Sequence, residues 1–172
     1  MLEMAILGLL REGPMHGYQL RQRLVDFGFW RISFGSIYPA LRRLDKARHI
    51  EVRPGSGRRK EYMITAEGKE YFQEILEDES SEVENTTAFR VRLAFFKYMK
   101  PDTRIGFLER RKVVLRERIA NTRSSIRKTA DRVDRYTSSL MQHGVRSAEA
   151  DMVWLDELIE SERDGADGAK AS

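Results

Sequence analysis

The sequence predicts a mainly α-helical chain with one small β-hairpin, divided into a compact N-terminal unit and a helical C-terminal unit. Three observations predict it. Apolar residues recur at three- and four-residue spacing along most of the 172 residues. One glycine-rich break, Pro54-Gly55-Ser56-Gly57, is flanked by two short alternating segments. Between the halves, Glu77 to Glu84 holds five acids and no base, a like-charge run suited to a solvated linker.

Leu2, Ile6, Leu9 and Leu10 make an amphipathic first helix that Gly13-Pro14 stops. A second spans Gly17 to Phe27, with Tyr18, Leu20, Leu24 and Val25 on its apolar side and Gly28 closing it. In the third, Ile37, Leu41 and Leu44 share a face at i, i+4 and i+7, while Ser36, Arg42, Arg43 and Lys46 point elsewhere. Two starts for this helix stay open. With Ser33 as N-cap, Pro39 lies inside the second turn and one backbone bond is lost; with Ser36 as N-cap, the missing donor costs nothing. Ile50 to Arg53 and Glu61 to Thr65 then read as two strands, with Arg58-Arg59-Lys60 at the hairpin tip. Residues 1–76 form this unit and 77–87 the acidic linker or helix end.

After a helical segment from Ala88 to Met99 and the break at Lys100-Pro101-Asp102, a heptad seam begins. It runs through Ile105, Leu108, Lys112, Leu115, Ile119, Thr122, Ile126, Thr129, Val133, Tyr136 and Leu140. The expectation is one long helix ended by Gly144, with Ser147 capping a shorter helix that carries Trp154, Leu155 and Leu158. So narrow a stripe cannot bury itself alone. An antiparallel pair from each of two subunits would form a homodimer through Ile105, Leu108, Leu115, Ile119, Ile126, Val133, Tyr136, Leu140, Trp154, Leu155 and Leu158. This helical domain covers 88–163, and the Gly-, Ala- and Asp-rich tail, 164–172, is expected to be disordered.

The net charge of +4 is unevenly spread. Phe34 to Lys60 carries +6, Arg90 to Arg135 carries +10, and Tyr136 to the end carries −5. A patch like the first suits a polyanion, here double-stranded DNA: bases near a helix start can bond guanine edges, and those at a hairpin tip neutralise phosphates. Tyr18 and Tyr38 read either as core or as hydroxyl donors to phosphate, and His16 as a local cap or packing residue before a ligand. The C-terminal arginines read as a solvated face balanced by the acids from Glu149 to Glu162, or as an extension of the DNA footprint. The aromatics Phe89, Phe95, Phe96, Tyr98 and Phe107, with Trp30 and Trp154, read as core or as the lining of a flat apolar pocket for an apolar or aromatic small-molecule effector.

Zero cysteines exclude disulfides and thiolate metal sites, and His16, His49 and His143 lie far apart, so no metal or other cofactor is expected. No apolar run approaches the roughly 20 residues that span a bilayer, and Met1 to Ala5 has no basic leader region. The expected location is cytoplasmic. No nucleophile–base pair or phosphate-binding glycine loop marks an enzyme. A competing class is a helical protein-interaction module whose coiled coil is the functional surface.

Several strings, in this order and spacing, resemble the PadR family of bacterial transcriptional regulators. They are Met4-Ala5-Ile6-Leu7-Gly8-Leu9-Leu10, Gly13-Pro14-Met15-His16-Gly17-Tyr18-Gln19-Leu20, Phe34 to Leu44, Gly57-Arg58-Arg59-Lys60, and Tyr62-Met63-Ile64-Thr65-Ala66-Glu67-Gly68. The resemblance implies a winged helix-turn-helix domain, a dimer built by C-terminal helices, and repression relieved by a small ligand or stress signal. It makes Phe34 to Ala47 the recognition helix, puts Gly35, Ser36, Tyr38 and Arg42 at or near DNA with Tyr18 and Arg43 beside them, and makes Arg58, Arg59 and Lys60 the wing. Two departures stand out. Glu61 replaces a frequent aromatic, and Ala47-Arg48-His49-Ile50 lacks the glycine that usually closes the recognition helix.

Overall fold

The computed structural model describes residues 1–26, 34–55, 59–78, 84–129 and 131–170. They fall into two compact units, Met1–Met99 and Lys100–Ser172. The segment from Ala88 to Met99, expected in the second unit, clusters with the first. Most of the acidic run (79–83), and with it Trp30, Ser33, Gly28 and Arg58, lies outside the described residues.

In the first unit, α1 (Leu2–Leu10) is apolar around most of its circumference and accordingly central: Met4 through Leu10 are all buried. β1 (Met15–His16) leads into α2 (Gly17–Asp26), followed by α3 (Phe34–Lys46), β2 (Ile50–Pro54), β3 (Lys60–Ile64), α4 (Ala66–Glu77) and α5 (Thr86–Ala94), with a 3-10 turn at Phe96–Tyr98. α3 starts at Phe34, so Pro39 sits inside it and the start with an N-cap at Ser36 is ruled out. The buried face of α3 is the expected one: Ile37, Ala40, Leu41 and Leu44.

The sheet has three strands rather than the two of a simple hairpin. β3 is central, with Ile50 opposite Ile64 on one side and Met15 opposite Tyr62 on the other. No periodicity can announce a two-residue strand, which is why β1 escaped the sequence reading.

Two backbone approaches fix this unit. Gly68, in the first turn of α4, lies so close to the α3–β2 turn that an added Cβ would stand 1.9 Å from the His49 carbonyl oxygen. Thr65 N-caps α4 by accepting from the Gly68 N–H, and its hydroxyl donates to the Arg48 carbonyl at 2.7 Å. Arg48 itself has φ 59, the left-handed conformation that glycine supplies more cheaply. The His49 N–H returns to the Leu44 carbonyl and the Arg48 N–H to that of Asp45, so the arginine itself closes α3 where the resemblance implies a glycine.

Behind the sheet, Phe72 meets Phe95 and Tyr98 edge-on, and Arg11 lies 4.4 Å over the Tyr98 ring. Buried Arg92 reaches from α5 to donate to the carbonyls of Ile75 and Asp78 at 2.7 and 2.6 Å, satisfying acceptors that the end of α4 leaves open. Phe89, Phe95 and Phe96 are buried in this core, whereas Phe107 and Trp154 belong to the second unit. The aromatic cluster read from sequence is therefore divided, and its members in the first unit serve as packing.

The second unit is an antiparallel helical hairpin, α6 (Pro101–Thr129) and α7 (Arg135–Lys170). This corrects three expectations. The long helix ends at Thr129, not Gly144, because Asp134 starts a new helix by accepting from the Tyr136 and Thr137 N–H groups. Gly144 and Ser147 lie inside α7, where they neither stop nor cap anything. α7 also continues through the expected disordered tail to Lys170: it contains no proline, and each glycine costs a helix only about 1 kcal/mol.

The seam from Ile105 to Ile126 faces inward along this hairpin, with Leu108 and Leu115 buried and Ile105, Ile119 and Ile126 half-buried; α7 contributes Val145, Ala148, Leu155 and Ile159. Arg104–Glu162, Lys112–Asp156 and Arg123–Glu149 set the antiparallel register. These arginines thus meet the acids of α7, and Lys112, polar in the seam, is buried yet paired. Among the described residues no helix is long and apolar enough to cross a membrane.

Candidate nucleic-acid interface

The outward face of α3 follows from its buried one. With Ile37, Leu41 and Leu44 inside, Gly35, Ser36, Tyr38, Arg42 and Lys46 are exposed. Lys46, four residues from Arg42, extends this face beyond the residues singled out by motif. Arg43 is diverted: its Nε donates to Glu3 Oε1 at 2.7 Å, which ties α3 to α1. Arg42 is thus the arginine of the pair that points outward unengaged by α1.

Beside α3, β1 brings the start of α2 against the wing. His16, Gly17, Tyr18, Tyr38, Arg59, Lys60 and Tyr62 line a groove of about 410 Å³. Tyr38 packs on Gly17, where an added Cβ would stand 3.2 Å from its hydroxyl. Tyr18 is 46% exposed and Tyr38 41%, so neither is core; the sequence reading that left both options open resolves toward the surface. The Arg59 guanidinium lies 5.6 Å from the centre of the Tyr18 ring, an orientation that holds the cation at the groove's edge. Tyr62 is the buried member. Burial first, then Tyr38 and Asp45, raise its hydroxyl above the ordinary tyrosine value, so it stays neutral.

The wing is anchored through His16, a residue that motif reasoning read only as a cap or packing group. It does cap: the His16 N–H donates to Gln19 Oε1 at 2.8 Å across the first turn of α2. Its ring also reaches the wing, with Nδ1 3.0 Å from the Lys60 carbonyl. Gly55 is required beneath it, since an added Cβ would stand 2.5 Å from His16 Cε1. Across the wing the Gly55 N–H donates to the Arg59 carbonyl at 2.8 Å. Arg53 pairs with Glu51 at 2.6 Å, so part of the hairpin's charge is balanced locally, while Arg59 and Lys60 are exposed. Together, α2, α3 and the wing gather hydroxyls, cations and a helix start on one face.

The residues expected to form the dimer divide. Ile105, Leu108, Leu115, Ile119, Ile126, Leu155 and Leu158 are buried or half-buried within the hairpin unit, and Val133 lies in its turn. Tyr136, Leu140 and Trp154 are exposed along α7 at 80%, 71% and 40%.

Comparison with known proteins accords with this arrangement. Residues 6–74 match the transcriptional regulator PadR-like family, and residues 87–161 match the C-terminal family described as virulence activator alpha. An uncharacterized 37.1 kDa protein in a transposon of Streptomyces fradiae is 30% identical over 71 residues, 41% of this chain but only 21% of that protein. Solved structures similar to the chain include a PadR-like transcriptional regulator from Bacillus cereus, 23% identical with 96% of this chain and 99% of that one covered at a TM-score of 0.45. Bacillus subtilis PadR in complex with operator DNA is 20% identical, with 94% and 98% covered at 0.45. A transcriptional regulator from Clostridium thermocellum is 33% identical, with 44% and 78% covered at 0.40. Residues 6–74 thus belong to the PadR-like family of transcriptional regulators, and residues 87–161 carry the second matched domain.

Proposed function

We propose that this protein is a repressor that binds a pseudo-palindromic operator as a homodimer and releases it when an apolar or aromatic small molecule binds. The observation that carries the DNA-binding part is the convergence of Tyr18, Tyr38, Arg42, Lys46, Arg59 and Lys60 on the face where α2, α3 and the wing meet. In this reading Gly35, Ser36 and Tyr38 let the start of α3 approach the major groove, Arg42 reads a base edge, and Tyr18, Arg59 and Lys60 hold phosphates. Arg43 supports α3 through Glu3, and Arg58 adds a further wing charge by sequence.

Replacing Arg59 and Lys60 with alanine should weaken binding to specific and random duplex alike and flatten the plot of log affinity against log salt by about 0.9 per lost phosphate contact. An unchanged salt slope would remove the wing from the interface. Arg42→Ala should instead cost roughly 1 to 3 kcal/mol and relax preference at one operator position.

The dimer part rests on α7. Tyr136, Leu140 and Trp154 leave an apolar strip in water that a second copy would cover. Leu140→Asp with Trp154→Asp should therefore give monomers in equilibrium sedimentation with the helical content intact. Charges at Ile119 and Ile126 would test something else, since those residues lie within the chain's own hairpin unit.

A further inference from the structure

We propose that Asp45 is a specificity-determining residue of the DNA-facing side of α3: it accepts from the amino group of a cytosine in the major groove and holds phosphate off, so that random duplex is bound less tightly than the operator. The inference rests on the DNA-binding reading above and deepens it. Asp45 stands at i+7 from Tyr38 and i+3 from Arg42, so the three share one stripe of α3, next to the buried stripe of Ile37, Leu41 and Leu44. All three are exposed. They border the groove beside the wing. After burial, the charges acting on the hydroxyl of Tyr62, which lines that groove, are those of Tyr38 and Asp45, which raise it, and of Arg42, which lowers it.

The fold itself does not call for an acid at this place. Asp45 lies in the last turn of α3, where the negative end of the helix disfavours a carboxylate. Among the described residues its side chain has no hydrogen-bond or ion-pair partner: Arg42, three residues away, forms no ion pair with it, and Arg43 is engaged by Glu3. On a face that otherwise presents Tyr38, Arg42, Lys46, Arg59 and Lys60, an unpaired carboxylate repels each phosphate that approaches and lowers affinity for every duplex alike. That cost is recovered only where the carboxylate meets a donor. The major groove offers donors in the amino groups of cytosine and adenine, and a carboxylate, which only accepts, suits cytosine N4. Arg42 has the opposite requirement, since a guanidinium only donates and suits the guanine acceptors. One stripe of α3 thus carries a donor and an acceptor about one helical turn apart, each with its own base preference.

The test uses the full chain, native and Asp45→Ala, with Asp45→Asn as a second, uncharged variant of nearly the same shape. Binding to random-sequence duplex at low salt should strengthen by about fivefold in both variants, and the gain should shrink as salt screens the charge. Sites selected by each protein from a randomised duplex library should differ at one position, where the native protein prefers cytosine by about fivefold or more and the alanine variant shows no preference. Thermal unfolding should find the alanine variant at least as stable as the native chain, which separates both effects from misfolding. Unchanged affinity for random duplex would take the carboxylate off the interface, and identical selected sites would overturn the base contact. Absence of duplex binding by the native protein at low salt would instead overturn the DNA-binding reading, and this inference with it.

Discussion

The two units use glycine in opposite ways. In the first, Gly68 seats α4 against the His49 carbonyl and Gly8 lies where a Cβ would stand 2.5 Å from the Phe95 ring. In the second, an added Cβ at Gly144 would meet nothing within 4 Å, and one at Gly106 only the flexible end of Arg110 at 3.5 Å. The N-terminal unit is thus determined by backbone approaches that no other residue permits, whereas the hairpin is determined by a stripe and a set of ion pairs that tolerate many spellings. That difference matches the tasks proposed for them. A surface that must present Tyr18, Tyr38, Arg42 and Arg59 in fixed relation needs rigid supports, while a helical hairpin needs only register.

The sharpest way to break this comparison is to treat the two kinds of glycine alike. Gly68→Ala forces backbone against side chain at 1.9 Å, with no flexible group to yield, and should cost about 3 kcal/mol or more, enough to unfold much of the population. Gly144→Ala should stabilise α7 by about 1 kcal/mol. Chemical denaturation of the two variants checks both signs; a mild effect at Gly68 would mean that α4 can shift and that the unit is less constrained than its packing implies.

A second contrast sets buried cations side by side. Arg92 is 5% exposed and donates to two carbonyls at the end of α4, so Arg92→Met strands acceptors that water reaches poorly and should cost about 2 kcal/mol. Lys112 is 8% exposed, but its partner Asp156 is largely in solvent and can rehydrate when the pair is broken. Lys112→Met should accordingly lie within about 1 kcal/mol of neutral, with methionine filling the same volume. Equal losses in the two variants would show that the hairpin depends on its charges as strictly as the N-terminal unit does.

Legibility in the sequence follows the same division, with one reversal. The α3 stripe, the wing strands and the exposed cations could be read because period and turn chemistry are local properties. β1 could not, since two residues have no period, and so His16's reach to Lys60 across 44 positions of chain was hidden as well. In the hairpin the heptad count misled, because Val133, Tyr136 and Leu140 continue the seam's numbering across a turn that breaks the helix. Asp134 was the available signal: an acid two and three residues before the N–H groups it caps. Neither motif nor period could say which of Arg42 and Arg43 is tied to another helix, because Glu3 decides it from α1.

Arg48 tests whether fixed geometry in the first unit has been optimised residue by residue. Among the described residues it is the non-glycine with positive φ, and its carbonyl is held by Thr65. Relieving the left-handed strain favours glycine by about 1 kcal/mol, and the greater freedom of glycine in the unfolded chain takes part of that back. Arg48→Gly should therefore raise stability by about 0.5 kcal/mol in thermal or chemical unfolding. A loss would show that the arginine side chain contributes packing that offsets its backbone strain.

The smallest expected effect is at Glu12, where charge rather than backbone approach ties elements of the first unit together. Its carboxylate accepts from Lys97 and Arg23, both at 2.7 Å, linking the α1–β1 connection to the 3-10 turn and to α2. The hydrogen bond from Lys97 and the neighbouring positive charges hold Glu12 below the ordinary glutamate value despite partial burial, and the same pairing raises Lys97 above the ordinary lysine value. Glu12 thus contributes stability that is fully present above the unfolded glutamate value and is lost as pH falls through the lower, folded one. Lys97 contributes stability present below the unfolded lysine value and lost as pH rises through the raised, folded one. Because Lys97 is 56% exposed, solvent and salt screen the pair, and Glu12→Gln should cost only about 0.5 kcal/mol near neutral pH. The difference between the native protein and Glu12→Gln should shrink in high salt and vanish in acid below the folded glutamate value. A difference that persists in acid would assign the effect to packing of the side chain, and the ion pairs of the first unit would then be as incidental as its glycines are essential.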